Sequence, residues 1–203
     1  MTAIIDYGVG NLFSLRSSFA SIGEEAVVTK DCDVLKSADR LVLPGVGAFK
    51  DARQALSDSG LEQTVLELAR QGKPLLGICL GMQLLFDTDY EDGIYKGLGL
   101  ISGEVRPIAE TIEKGLKIPQ IGWNALIFKN RTGLFKYINE GDHVYFVHSY
   151  HAVKCETWTT SVTEYGGYLT ASVEKGNVYG CQFHPEKSGQ VGLNLLKAFV
   201  EIS

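Results

Sequence analysis

A cysteine between two glycines is the first feature of this sequence that could do chemistry. Gly77-Ile78-Cys79-Leu80-Gly81 has the spacing of a nucleophile elbow, with cysteine in place of serine. Leu75-Leu76 before it reads as a strand, and Met82 to Phe86 after it reads as the start of a helix. In such a turn the glycines keep side chains out of a tight reversal, and the nucleophile is held strained at the tip, outside the main core. The helix N-terminus that follows favours a thiolate. On its own the pattern fits a buried structural cysteine equally well, so it needs a base.

Four histidines are available: His143, His148, His151 and His184. A catalytic imidazole wants a carboxylate to fix its tautomer and steady its charge. Only His184 has one two residues away, Glu186, on the same side of an extended segment. Pro185 biases His184 toward that extended form. An exposed His-Pro-Glu turn is the plain alternative. With the elbow, however, the pair makes a Cys-His-Glu set of nucleophile, base and orienter.

The remaining glycine turns divide two ways. Gly45-Val46-Gly47 closes a strand, and its backbone N–H groups could face the elbow. With the amide of Leu80 they would hold an oxyanion, although a plain glycine turn reads the same. Gly8-Val9-Gly10 and Gly45-Val46-Gly47 do not extend to a dinucleotide fingerprint, because Phe13 and Lys50 stand where the third glycine belongs.

These groups must be positioned by a framework, and the first half supplies one. Ala3–Ile5, Ala26–Val28, Leu41–Leu43 and Leu75–Leu76 are apolar runs. They alternate with helical stripes at Leu12, Leu15, Phe19, Ile22 and at Leu61, Val65, Leu68, Ala69. Strands apolar on both faces predict a parallel sheet covered on both sides. The second half is strand-rich, at 144–147, 157–162, 168–173 and 178–183. A last helix is expected over roughly 190–202. The expected architecture is α/β: one domain over 1–203 with a mixed, mostly parallel central sheet and helices on both faces.

The chain has 203 residues, 45% hydrophobic and 21% charged, enough for a sizeable core. A net charge of −5 gives no reason to expect nucleic acid or an anionic membrane as partner. The N-terminus reads as a strand and lacks a signal-peptide pattern, so a cytoplasmic location is expected. Cys32, Cys79, Cys155 and Cys181 form no C-x-x-C pair, and no histidine stands at zinc spacing, so neither metal nor cofactor is expected. Cys32, Cys155 and Cys181 are expected to be small buried hydrophobes.

Two segments carry a resemblance. Pro74-Leu-Leu-Gly-Ile-Cys-Leu-Gly-Met-Gln83 and Gln182-Phe-His-Pro-Glu-Lys-Ser188 closely resemble the class I (triad) glutamine amidotransferases. Asp6 to Asn11, Leu43 to Phe49, Pro119 to Asn124 and Tyr145 to Tyr150 are similar to the glutaminase subunits of imidazole glycerol phosphate synthases, and the likeness runs nearly end to end. The resemblance implies a flavodoxin-like fold, a triad of Cys79, His184 and Glu186, and oxyanion amides from Val46 and Leu80. It further implies a glutamine site lined by Gly47, Gln83, Ser149 and Tyr150. It implies a (β/α)₈-barrel cyclase partner in a heterodimer, which takes up the ammonia for histidine biosynthesis.

A docking surface is expected from Asn11, Trp123, Tyr145 and Lys187, which fall on elements placed near the triad. The plain alternative is that Trp123 and Tyr145 are core aromatics. Competing functions are a glutaminase serving another synthase, a non-catalytic regulatory subunit and a redox-sensing cysteine protein. The last would have no need of the His-x-Glu pair. The 87–93 and 109–116 segments carry no functional signal.

Overall fold

Four apolar runs become four parallel strands: β1 (Thr2–Ile5), β2 (Ala26–Thr29), β3 (Arg40–Leu43) and β4 (Leu75–Ile78). The computed structural model describes residues 1–202, so Ser203 lies outside it. Helices α1 (Leu12–Ser21), α2 (Cys32–Ser37), α3 (Phe49–Asp58), α4 (Leu61–Arg70) and the short α5 (Leu80–Leu84) connect and follow these strands. Gly23 and Gly72, just beyond α1 and α4, sit at φ +81° and +96°, the left-handed turn that ends a helix.

Strand residues alternate between two hydrophobic layers. Ala3, Ile5, Leu41, Leu43 and Leu75 pack with Leu35, Phe49, Leu56 and Leu61 of α2, α3 and α4. Ile4, Val42, Leu76 and Ile78 pack with Leu15 and Phe19 of α1 and with Leu195 and Phe199 of the last helix, α6 (Gly189–Val200). Both faces of the sheet are thus covered, as continuously apolar strands require.

The second half adds β5 (Phe86–Asp89), β6 (Tyr95–Lys96), β7 (Ile101–Pro107), β8 (Gln120–Ala125), β9 (Ile127–Phe128), β10 (His143–His148), β11 (Tyr150–Val153), β12 (Thr159–Glu164), β13 (Tyr168–Lys175) and β14 (Val178–Cys181). The central sheet runs β2-β1-β3-β4-β14-β13-β12-β9. Its pairings are parallel from β2 to β14 and antiparallel beyond, so the expected mixed, mostly parallel sheet is found.

Two smaller sheets, β10-β8 and β11-β7-β5-β6, are additional to that expectation. The helix after the elbow is also shorter than expected. It ends at Leu84, and Phe86 begins β5, because the amides of Leu98 and Gly99 bond to the carbonyls of Leu84 and Phe86 and pull the chain into the β5–β7 layer. Strand β12 starts two residues later than expected, since Trp158 N–H closes a turn onto Cys155 C=O.

Candidate active site

The elbow has the predicted strand–turn–helix form, and its strain is measurable. Cys79 lies at φ 54°, ψ −112°, a region that costs a non-glycine residue about 1–3 kcal/mol. Close packing holds it there. A Cβ on Gly77 would meet the Gly81 carbonyl oxygen at 2.7 Å, and one on Gly81 would meet the Leu43 carbonyl oxygen at 1.9 Å. Both glycines are therefore required by backbone-to-backbone contact. The Cys79 N–H donates to the Cys181 carbonyl at 2.8 Å, extending the β4–β14 ladder by one residue. Contrary to expectation, Cys79 is not outside the core. It is 7% exposed and belongs to the layer of Ile78 and Phe183. Of the other three thiols, Cys155 and Cys181 are buried as expected. Cys32 is half-buried and accepts a hydrogen bond from Thr64 Oγ1.

His184 arrives from the neighbouring strand. β14 is in parallel register with β4, Cys181 opposite Ile78, so the residues after β14 run alongside Cys79. His184 N–H donates to the Tyr145 carbonyl, and Pro185–Lys187 forms a single 3₁₀ turn. That turn folds Glu186 back, and His184 Nδ1 lies 2.8 Å from Glu186 Oε1. Both side chains are at least 97% covered, His184 with 3% and Glu186 with 1% exposed. With Nδ1 so engaged, Nε2 is left for the sulfur. Burial pulls the His184 pKa down, but the Cys79 sulfur and the Glu186 carboxylate outweigh it and push the imidazole up to about 9.

The third component comes from β3 on the other side of β4. A Cβ on Gly45 would meet Gly81 N at 2.6 Å and Leu80 Cβ at 2.9 Å, so the turn after β3 lies directly on the elbow. It is pinned at both ends. Tyr7 Oη donates to the Pro44 carbonyl at 2.6 Å, and the Phe49 N–H donates to the Glu91 carboxylate. Between these pins lie Val46, which is 44% exposed, and Gly47, at φ +91°. Leu80 opens α5, so its N–H has no partner within the helix.

These parts surround one cavity of about 270 Å³, lined by Val46, Gly47, Cys79, Leu80, Gln83 and His184, and closed by Ser149, Tyr150, Glu91 and Pro119. All nine residues predicted for the triad, oxyanion hole and glutamine site are thus near one another, with Glu186 just behind His184. The arrangement offers a thiol, a base with its orienter and free backbone N–H groups around a space for a small polar molecule. That is the equipment for acyl transfer from an amide.

Three contributors escaped the sequence reading. Glu91, in the loop after β5, is among the described residues the only carboxylate lining this cavity. Tyr7 fixes the turn after β3. Gln182 is fully buried with Nε2 3.7 Å from Cys79 Sγ. Gln182 stands two residues before His184, and that alternation was its one available signal. Near the site, Asp89 is fully buried with one oxygen unpartnered, and burial pushes its carboxyl up to about 7. His148 lines the cavity wall, bonded through Nδ1 to the Tyr150 carbonyl and through Nε2 to Gln120. Burial and the neighbouring His184 lower its pKa to about 4 against the pull of that carbonyl.

Of the expected docking residues, Trp123 and Tyr145 face each other across β8 and β10, edge to face at 6.0 Å, and Lys187 Nζ sits 5.9 Å from the Tyr145 ring. Trp123 is 53% exposed, so it is not a core aromatic, whereas Tyr145 is half-buried. Asn11 precedes α1 and makes no side-chain cap to it. Phe13, the second residue of the helix, is 82% exposed.

A strained cysteine elbow, a His–Glu pair and a glycine turn on three adjacent strands define a class of protein, and the sequence comparison agrees. Residues 3–202 match the family glutamine amidotransferase class-I, and the chain belongs to that family. It is 48% identical over 204 residues, with both chains fully covered, to the imidazole glycerol phosphate synthase subunit HisH of Wolinella succinogenes. It is 46% identical to the HisH subunit of Geobacillus sp. (strain WCH70), covering 100% of this chain and 97% of that one. It is 48% identical to the HisH subunit of Aquifex aeolicus, with 98% and 95% covered.

Among solved structures, a glutamine amidotransferase superposes with a TM-score of 0.76 at 20% identity, covering 98% of this chain and 97% of that one. A chain of PurLQS from Thermotoga maritima gives 0.75 at 19%, covering 98% and 96%. At that identity the likeness concerns the fold.

Proposed function

We propose that this chain is the glutaminase subunit of an imidazole glycerol phosphate synthase, a single amidotransferase domain that hydrolyses L-glutamine to L-glutamate and ammonia. The observation that carries the proposal is the convergence of Cys79, His184 and Glu186 on the cavity formed by Val46, Gly47, Leu80 and Gln83, in a chain alike end to end to HisH subunits.

In this reading His184 takes the proton of Cys79, and the sulfur attacks the amide carbon of glutamine. Its raised pKa lets the imidazole keep that proton until ammonia departs, and Glu186 holds it in the correct tautomer. The N–H groups of Val46 and Leu80 receive the oxyanion. Water, activated by His184, then releases glutamate from the cysteinyl thioester. Gly47, Gln83, Ser149 and Tyr150 line the glutamine, and Glu91 faces its α-ammonium group as counter-charge. No metal or cofactor takes part.

Ammonia released into water at neutral pH becomes ammonium and is lost as a nucleophile. A partner must therefore take it over directly. A (β/α)₈-barrel cyclase subunit would dock in a cytoplasmic heterodimer on the face bearing Trp123, Tyr145 and Lys187, with Asn11 contributing from the start of α1. Two of these groups are ring systems in contact and one is an exposed cation, the composition of an interface anchor.

The test is Cys79→Ala, assayed with the barrel subunit. Glutamine hydrolysis should vanish, while synthesis from added ammonia survives, because free ammonia bypasses the thioester. Retained glutaminase activity would refute the assignment. The parent chain alone should be weakly active and strongly stimulated by the barrel subunit with its ligand. Full activity without a partner would refute the docking role.

A further inference from the structure

Gln182 is buried, 0% exposed, and its side chain spans the gap between Gln83 and the sulfur of Cys79. Its Oε1 lies 3.1 Å from Gln83 Nε2, and its Nε2 lies 3.7 Å from Cys79 Sγ. Gln83 Nε2 also lies 3.1 Å from the Tyr150 carbonyl, which receives His148 Nδ1 at 2.7 Å as well. A buried amide with satisfied partners could be mere packing. The polarity of this row says more.

A peptide carbonyl can only accept, so Gln83 must turn its NH₂ toward Tyr150. That same NH₂ meets Gln182, which must then offer its oxygen. The NH₂ of Gln182 is left facing the sulfur. Turning either amide over would set two acceptors or two donors against each other in a buried place, each costing about 1–3 kcal/mol. The direction of the row is therefore fixed by main chain at one end, and at the other end Cys79 Sγ is an acceptor. A thiolate accepts a hydrogen bond far better than a thiol, and donation to a charged form favours that form.

We infer that Gln182 is a further catalytic residue: it donates a hydrogen bond to the Cys79 sulfur and favours its thiolate, with its orientation set through Gln83 by the carbonyl of Tyr150. The inference rests on Cys79 being the nucleophile. The bond serves twice, since sulfur is a thiolate both when it attacks the amide and when hydrolysis expels it from the thioester. His184 approaches the sulfur as a cation that must give its proton away. Gln182 is a neutral donor that keeps its protons throughout, so its support lasts through both half-reactions.

The test is the pH profile of Cys79 alkylation by iodoacetamide in the full chain. Labelling is read at the Cys79 peptide because Cys32, Cys155 and Cys181 are also free thiols. Gln182→Glu keeps the volume and the oxygen that accepts from Gln83, but replaces the donor with an acceptor. Gln182→Leu removes both polar ends. In each variant the midpoint of the profile should move to higher pH, by about one unit for leucine and more for glutamate. The alkylation rate on the acid side then drops about tenfold, and the rates meet again at high pH.

A role in packing alone leaves the midpoint of the Gln182→Leu chain unmoved, since leucine removes the donor without adding a charge, and that result would overturn the inference. Cys79→Ala separates the two readings. If it still hydrolyses glutamine, the nucleophile assignment fails. If it is inactive and the midpoint of Gln182→Leu is unmoved, only the role of Gln182 fails.

Discussion

Replacing Gly45 with alanine tests whether the turn after β3 must touch the elbow for catalysis. Gly45 is not at positive φ, so alanine adds no backbone strain there. The whole effect comes from contact. The new Cβ would stand 2.6 Å from Gly81 N and 3.0 Å from Leu80 C, where ordinary contact begins at 3.4 Å. These are backbone atoms, so no side-chain rotation relieves the overlap, and the turn must retreat by about 0.8 Å. Tyr7 and Glu91 hold the two ends of the turn, so the retreat falls on Val46 and Gly47 between them.

A displacement near 1 Å costs about 10²-fold in rate, and full loss of one oxyanion donor about 10²–10³-fold. We expect kcat for glutamate release by the heterodimer to fall about 10²-fold, with KM changed little because these N–H groups act on the transition state. Stability should drop by about 1–3 kcal/mol. Gly72→Ala is the control. At φ +96° in open space it costs about 1–2 kcal/mol of strain far from the site, and kcat should hold. A folded Gly45→Ala chain with undiminished kcat would refute the oxyanion role of this turn.

Two further outcomes are expected. His184→Ala should lower kcat by about 10²–10⁴-fold, because proton transfer is needed in both half-reactions, and Glu186→Gln should cost less. The reverse order in the same glutamate assay would mean the roles are misassigned. Stability should also depend on acid through the buried histidines. His148 and His151 are both held down to about 4, chiefly by burial, so their contributions are full above about pH 6.5 and fade as pH falls toward 4. Asp89, pushed up to about 7, opposes this by gaining stability as pH falls through the same window. His184, raised to about 9, loses its contribution only as pH rises through that value. In an Asp89→Asn chain, urea midpoints should therefore drop between pH 6.5 and 4, and adding His151→Gln should flatten the slope by up to one proton, about 1.4 kcal/mol per pH unit. An equal slope with and without His151 would contradict its burial as a neutral ring.

The parts of the fold that sequence made legible are those where burial leaves no choice of residue. β1, β3 and β4 are covered on both faces, so beyond Thr2 and Arg40 at their starts they hold only apolar residues and glycine, and the runs stand out. The elbow and the turn after β3 were legible because backbone contact forces glycine at 45, 77 and 81. Strands β5 and β6 were not, since Phe86-Asp-Thr-Asp89 has three polar residues in four and pairs only after the chain has folded back. Helix α3 was missed as well. Its amphipathic face is carried by Phe49, Ala52 and Leu56 amid Lys50, Asp51 and Arg53, which is a narrow stripe. Glu91 and Gln182 escaped for a different reason. Their meaning lies in a contact with Phe49, 42 residues away, and with Cys79, 103 residues away, and nothing local marks it.

Sheet order accounts for what the sequence separates. β4 runs into Cys79 and lies between β3 and β14. The turn after β3 brings Val46 and Gly47 to one side of Cys79, and the segment after β14 brings Gln182, His184 and Glu186 to the other. The strain at Cys79 and the closeness of the turn after β3 have a single origin. Gly45, Gly77 and Gly81 let β4, the start of α5 and the turn after β3 approach without side chains between them, and that approach both holds the cysteine at φ 54° and carries that turn within reach. A larger residue at any of the three positions would relax the strain only by separating the groups. The cost of the unusual backbone and the assembly of the site therefore cannot be varied independently, and a chain that lost one would lose the other.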